Sequence, residues 1–294
     1  MNFKVTALVL SICLVCCRPK KSNNELEPTD TYDKQTLLVN VADNVIMPCY
    51  TNFKSSLDSL IAAYNIFKAS GLQSDYQIVK QKLHSTSLKY QLISPFEFGP
   101  AENILVRMNF NVFPTDSVQI KANISSGIYN LDAANNLDAK GFPALDYLFY
   151  GKNQTELSCI SQFNSSPNLK QYVSDVLNDM STKINSIIST WTTAYKNSFI
   201  NSLGTDIGSS IGFLVNQLNF ELDYLKNAKI GTPLGKKTLG IALPEKCEAY
   251  FGGQSVQYAT ETLIAIENMY LGRSPSGSNG EGFDNYLIHV FYCN

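Results

Sequence analysis

The chain has 294 residues, 44% of them hydrophobic and 16% charged, which is ample for a sizeable core and, as a prior from length, suggests two domains. A formal net charge of -2 at pH 7 gives no electrostatic basis for a phosphate-binding surface, so nucleic acid is excluded as a partner.

Lys4 opens a segment in which Val5 to Cys16 is apolar yet too short for a permanent membrane span, and residues 1–16 read as a secretory signal. Leu14-Val15-Cys16-Cys17 has the pattern of a bacterial lipobox with Cys17 as the acylated residue; the alternative is an ordinary cleaved signal with two incidental cysteines. Residues 17–33 are polar, with Pro19, Asn23, Asn24 and Pro28 among charges of both signs. Such a composition cannot bury enough apolar area to fold and reads as a tether of roughly 15 residues that holds the domain off a membrane. Arg18 follows the cysteine where some lipoproteins carry an aspartate that retains them in the inner membrane; this likeness points to the outer membrane.

Residues 34–165 read as a first helical bundle and 166–294 as a second. From Asp33 to Ser70, Leu38, Val41, Val45, Cys49, Phe53, Leu57, Leu60, Tyr64 and Phe67 recur at steps of three and four, predicting one long amphipathic helix. Pro48 inside that pattern predicts a kink or break near Ile46. Gly71 stops the helix, and Tyr76, Val79, Leu83 and Tyr90 carry an antiparallel partner. Residues 94–135, punctuated by Pro95, Gly99, Pro100, Pro114 and Gly127, read as loop-rich. Gly141-Phe142-Pro143-Ala144-Leu145-Asp146-Tyr147-Leu148-Phe149-Tyr150-Gly151 reads as a short helix, with Pro143 in its first turn and Gly151 past its end.

In the second half, Leu169, Val173, Val176, Met180, Ile184, Ile187, Trp191, Tyr195 and Phe199 trace another long helix, and Ile207, Ile211, Leu214, Leu218, Leu222 and Leu225 its partner after Gly204. Ser255 to Leu271 reads as a helix with Val256, Ala259, Leu263, Ile266 and Tyr270 inward, and Phe283 to Val290 begins another. The periodicities show no useful strand alternation, so the fold class is all-α, as two packed four-helix-bundle-like domains.

Of seven cysteines, Cys49, Cys159, Cys247 and Cys293 remain after the signal and Cys17 are set aside; none has metal or redox spacing, and they read as small buried residues with room for one bridge. Gly208-Ser209-Ser210-Ile211-Gly212 matches a nucleophile elbow but follows a helical pattern instead of a strand. Gly231 to Thr238 falls one residue short of a phosphate loop and reads as a basic turn, with Lys226, Lys229, Lys236 and Lys237 complementing a helix C-terminus. The two histidines, His84 and His289, lie far in sequence from Asp146, and His84 reads as solvent-exposed; the pair offers little to a hydrolytic zinc site. Asn123, Asn153 and Asn164 open glycosylation triplets that read as loop composition beside a bacterial lipobox.

The 141–151 segment resembles the imelysin-like family, whose members carry glycine, any residue, histidine, two residues and glutamate, running on into Tyr-Leu-Leu and a glycine. Gly141, Phe142, Ala144, Leu145, Tyr147, Leu148 and Gly151 keep the frame, while Pro143 fills the histidine slot and Asp146 the glutamate slot. Ile46-Met47-Pro48 with Tyr50, the stretch Asn216 to Asn227 running on to Gly235, and Pro244 to Tyr250 followed by Gly253, Ser255 and the helix to Gly272 are similar too. The resemblance implies a two-bundle helical fold with a functional site where the bundles meet, in envelope proteins associated with iron or haem acquisition. Gly252 stands where relatives often have serine.

The residues expected at that interface are Asp146 and Tyr147 from the first bundle and Glu248, Tyr250 and Ser255 from the second, with Arg107 and Asn219 completing a hydrogen-bonded network. No catalytic residue is assigned. Either the group binds a ligand, iron or haem by the resemblance, or Asp146 caps or pairs with Arg107 and only locks the bundles together. A lipid-anchored binding component working with envelope transport proteins is the expectation; the alternative is the metallopeptidase activity for which the family was once classed.

Overall fold

The computed structural model describes residues 31–151 and 154–292, so the signal, Cys17, most of the tether, Asn153 and Cys293 lie outside the described residues. The chain runs α1 (Lys34–Asn40), α2 (Met47–Ser70), α3 (Gln73–Ile93), α4 (Pro100–Ile104), α5 (Val106–Phe110), α6 (Ser117–Ser126), α7 (Gly141–Tyr150), α8 (Glu156–Ser165), α9 (Pro167–Thr190), α10 (Lys196–Asn201), α11 (Ser210–Tyr224), α12 (Ser255–Tyr270) and α13 (Phe283–Tyr292). No strand occurs among the described residues, and no helix there is long and apolar enough to cross a membrane.

The break expected near Ile46 is a π-helical segment, Val41–Ile46. Proline has no N–H for the carbonyl four residues back; the wider turn, in which the Met47 N–H reaches Ala42 O, absorbs that mismatch, and the helical run continues from Lys34 to Ser70. Gly71, at φ 64°, closes it by donating to Phe67 O. A second π-helical segment, Trp191–Tyr195, joins α9 to α10, so the helix expected across Leu169 to Phe199 is also one run.

Three expectations are corrected. Residues 94–135 hold α6, started by Asp116, whose carboxylate accepts from the Val118 and Gln119 N–H groups, and stopped by Gly127 at φ 66°. Ile207 precedes α11 and is 80% exposed. The elbow-like serines serve α11: Ser209 caps it, and Ser210 Oγ donates to Phe199 O. Most consequential, α12 turns Tyr258, Thr262, Ala265 and Met269 to the core, whereas Val256 and Leu263, expected inward, face out.

The α2–α3 hairpin is the most extensive helix pair; α9 lies on α2 and α12 lies on α3. One helix group gathers α6, α7 and α8 around α9; the other pairs α11 with α12, while α10 packs on α1. The run Lys34–Ser70 and α3 each pack on both groups, and one apolar core continues from Leu37 to Phe283. The boundary expected after residue 165 therefore falls between α8 and α9, which pack on each other. Cys49, Cys159 and Cys247 are free thiols, the first two buried.

Candidate site at the junction of the seventh helix and residues 247–254

Helix α7 can sit flush against α5 because Gly141 has no side chain: at φ 70°, a Cβ there would lie 2.2 Å from Phe110 O. Phe142, Leu145 and Phe149 enter the core, and Asp146, 7% exposed, points across to residues 247–254. Its Oδ2 accepts from the Phe251 N–H at 2.9 Å and its Oδ1 from the Gly252 N–H at 3.0 Å. Gly252 permits this clasp, since a Cβ there would stand 2.6 Å from Asp146 Oδ1 and 3.1 Å from the Tyr150 ring. Burial pushes the Asp146 carboxyl up to about 7; the two N–H bonds oppose the rise, and the Glu248 charge adds to it.

Glu248, 3% exposed, is held on both sides of its carboxylate. Oε1 accepts from Gln91 Nε2 at 2.8 Å and Asn111 Nδ2 at 2.6 Å, and Lys229 Nζ stands 2.8 Å from Oε2 as an ion pair outside hydrogen-bonding geometry. Lys229 in turn donates to Gln91 Oε1 and, at 2.8 Å, to Thr262 Oγ1. Lys229, read from sequence as one of the lysines of a basic turn at a helix C-terminus, is thus only 6% exposed. Its spacing of four from Leu225 carried that signal. Ser255 Oγ donates to Glu248 O and fixes the turn into α12. Gln91, Asn111, Lys229 and Thr262 carry no recognisable sequence pattern as a group, because they come from four separate segments.

Arg107 belongs to a different cluster. Its Nε and backbone N–H each donate to Glu97 at 2.9 Å, its guanidinium also pairs with the fully buried Glu221, and the plane lies 4.8 Å from the Phe220 and Tyr224 ring centroids. The Arg107 pairing considered for Asp146 is therefore not made; Arg107 fastens α5 to α11 and to Glu97. Asn219 does not join a network either: it is exposed on α11, two residues and hence about 200° around the helix from Glu221. Glu221 was the readable residue, a carboxylate set within the stripe of Leu214, Leu218 and Leu225.

Beside the clasp lies an open cleft of about 260 Å³ walled by Phe113, Pro143, Asp146, Tyr147, Tyr250 and Phe251, with Lys121 and Glu245 also on its lining. Phe251 packs edge-on against both Tyr147 and Tyr250, at 5.1 Å between centroids in each case. A second cleft of about 300 Å³, lined by Ile120, Leu148, Cys159 and Phe163, shares Lys121 and Tyr147 with the first. His84 is half-buried, stacked 5.6 Å from Tyr258, with Nδ1 3.3 Å from its hydroxyl; burial lowers its pKa. Tyr258 lines the same small cavity as Asn111, Asp146 and Glu248, so the imidazole stands one side chain behind the site.

The structure thus brings Asp146, Tyr147, Glu248, Tyr250 and Ser255 together and leaves Arg107 and Asn219 outside. Both carboxylates are already engaged by groups of the chain itself, and no group of three or more His, Cys, Asp or Glu among the described residues could hold a metal ion. The arrangement presents aromatic faces and one carboxyl poised near neutrality.

A family model described as Peptidase_M75: Imelysin matches residues 46–290. Among solved structures, a protein described as an iron-regulated protein A precursor from Parabacteroides distasonis ATCC 8503 is similar at 17% identity and TM-score 0.68, over 83% of this chain and 76% of that one. An imelysin-like protein from Psychrobacter arcticum 273-4 is similar at 16% identity and TM-score 0.64, over 89% of this chain and 77% of that one. None of the curated proteins matches the chain in sequence.

Proposed function

Because the chain belongs to the imelysin family and has its all-α fold, we propose that it is a non-catalytic, lipid-anchored binding protein of the bacterial cell envelope, serving iron or haem uptake. The observation that carries this reading is the contrast between engaged carboxylates and an open aromatic cleft. Asp146 is clasped by two backbone N–H groups and Glu248 by Lys229, Gln91 and Asn111, while Pro143 supplies no imidazole where family members carry one. A bare ferric ion would have to displace these partners; a flat organic carrier such as haem could lie against Tyr147, Tyr250 and Phe251 without disturbing them. The iron setting is supported by the description of the Parabacteroides neighbour as iron-regulated. Cys17 supports the anchor from sequence alone.

The test is titration of the protein, produced from residue 31 onward, with haem and with ferric citrate, followed by absorbance and calorimetry beside a peptide-hydrolysis assay with and without chelator. Haem binding weakened about tenfold by Phe251→Ala is expected, the loss of one aromatic contact face. Hydrolysis abolished by the chelator, or no binding of either compound, would overturn the proposal.

A further inference from the structure

Helix α12 is apolar on two sides. While Tyr258, Ala265 and Met269 face the core, Val256 and Leu263 are 79% and 52% exposed. The chain after α11 brings Ile230, Pro233 and Leu234 alongside, walling with Val256, Ala259 and Leu263 an apolar groove of about 360 Å³. The adjoining turn, residues 232–243, carries Leu239 and Ile241 in solvent, Leu239 with its side chain fully exposed. Leu239 has φ 56°, a left-handed conformation that leucine rarely adopts. The turn holds it there: Lys236 N–H donates to Gly231 O at 2.8 Å, Gly240 N–H to Gly235 O at 3.0 Å, and Leu243 N–H to Pro233 O at 2.8 Å. The apolar tip is therefore presented rather than collapsed onto the groove, and so many large apolar groups on one face mark a contact surface.

The charges around it select the partner. Lys226, Lys236 and Lys237 are exposed and Lys246 is half-buried, against Asp223 and Glu245, a local cationic excess in a chain of net charge -2. Lysine stems lie well along apolar surface while their ammonium groups reach anionic headgroups. We propose that the groove and the 232–243 turn form a membrane-contacting face, with Leu234, Leu239 and Ile241 dipping into the interface of an anionic lipid bilayer and Lys226, Lys236 and Lys237 on its headgroups. This face does not depend on the anchor proposed at Cys17, and its test is made without that anchor.

Residues 31–294 contain the whole of the continuous core, and that chain is sedimented with vesicles of phosphatidylcholine alone or mixed three to one with phosphatidylglycerol. Pelleting with the mixed vesicles, fading as salt is raised, is expected. Leu239→Gly relieves the left-handed strain and so keeps the turn; it should lower partitioning about tenfold without lowering Tm. Lys236→Gln and Lys237→Gln should each cost about fivefold, on the anionic vesicles only. No pelleting, equal pelleting with both vesicle types, or equal pelleting of wild type and L239G would overturn the proposal. So would light scattering that shows a dimer which L239G dissolves, since the occupant would then be a second copy.

Discussion

Replacing Lys229 with methionine tests whether the Glu248 cluster is built on charge. The ammonium and carboxylate stand 2.8 Å apart, with side chains only 2% and 4% exposed, so neither can recover hydration once its partner is gone. Breaking such a pair from one side costs about 3–5 kcal/mol, a large part of the roughly 5–15 kcal/mol that holds a domain folded. The hydrogen bonds from Lys229 to Gln91 and Thr262 disappear with it. Adding Glu248→Gln removes the stranded charge yet keeps an oxygen for Gln91 and Asn111, so the double variant should regain about 1–3 kcal/mol over Lys229→Met alone. Equilibrium urea unfolding read by the single, fully buried Trp191 gives all four corners of this cycle. A Lys229→Met variant within about 1 kcal/mol of wild type, or an additive cycle, would refute the reasoning.

Asp146 should leave a mark on the pH dependence of stability. Its folded-state value near 7 lies above the unfolded carboxylate range, so the folded chain keeps a proton that the unfolded chain has released. Stability from this group is therefore full below about pH 4 and falls toward pH 7 by up to about 1.4 kcal/mol per unit; Asp146→Asn should lack that slope in chemical denaturation at stepped pH. Gly252→Ser, restoring the side chain common in relatives, crowds Asp146 Oδ1 and should lower stability by about 1–3 kcal/mol through the loss of an N–H bond, visible in thermal melts. Gly141→Ala combines an unfavourable φ of 70° with a Cβ 2.2 Å from Phe110 O; a loss of about 3 kcal/mol or more is expected, and a soluble variant with unchanged Tm would contradict the packing described.

The helices were legible where one apolar stripe repeats and a glycine ends it, as at Gly71 and Gly151. Helix α12 misled because it is apolar on two sides: Val256, Ala259 and Leu263 fit the helical period as well as Tyr258, Ala265 and Met269, and only tertiary packing chooses between the faces. Asp146 could be placed at the junction from sequence, since it is the sole charged side chain on an apolar helix bounded by glycines. Its partners could not, because backbone N–H groups leave no residue-type signature and a turn like 247–254 fixes them only once folded. Arg107 and Asn219 failed for a related reason: a charged or amide side chain declares that it wants a partner, but not which of several distant ones the fold supplies.

Because the run Lys34–Ser70 and α3 serve both helix groups, the halves cannot swing apart like a clamshell. The cleft beside Tyr147 is open as it stands, and the piece of its wall free to yield is residues 247–254, the segment that Asp146 latches. Hydrogen exchange at the Phe251 and Gly252 amides would report how often that latch opens.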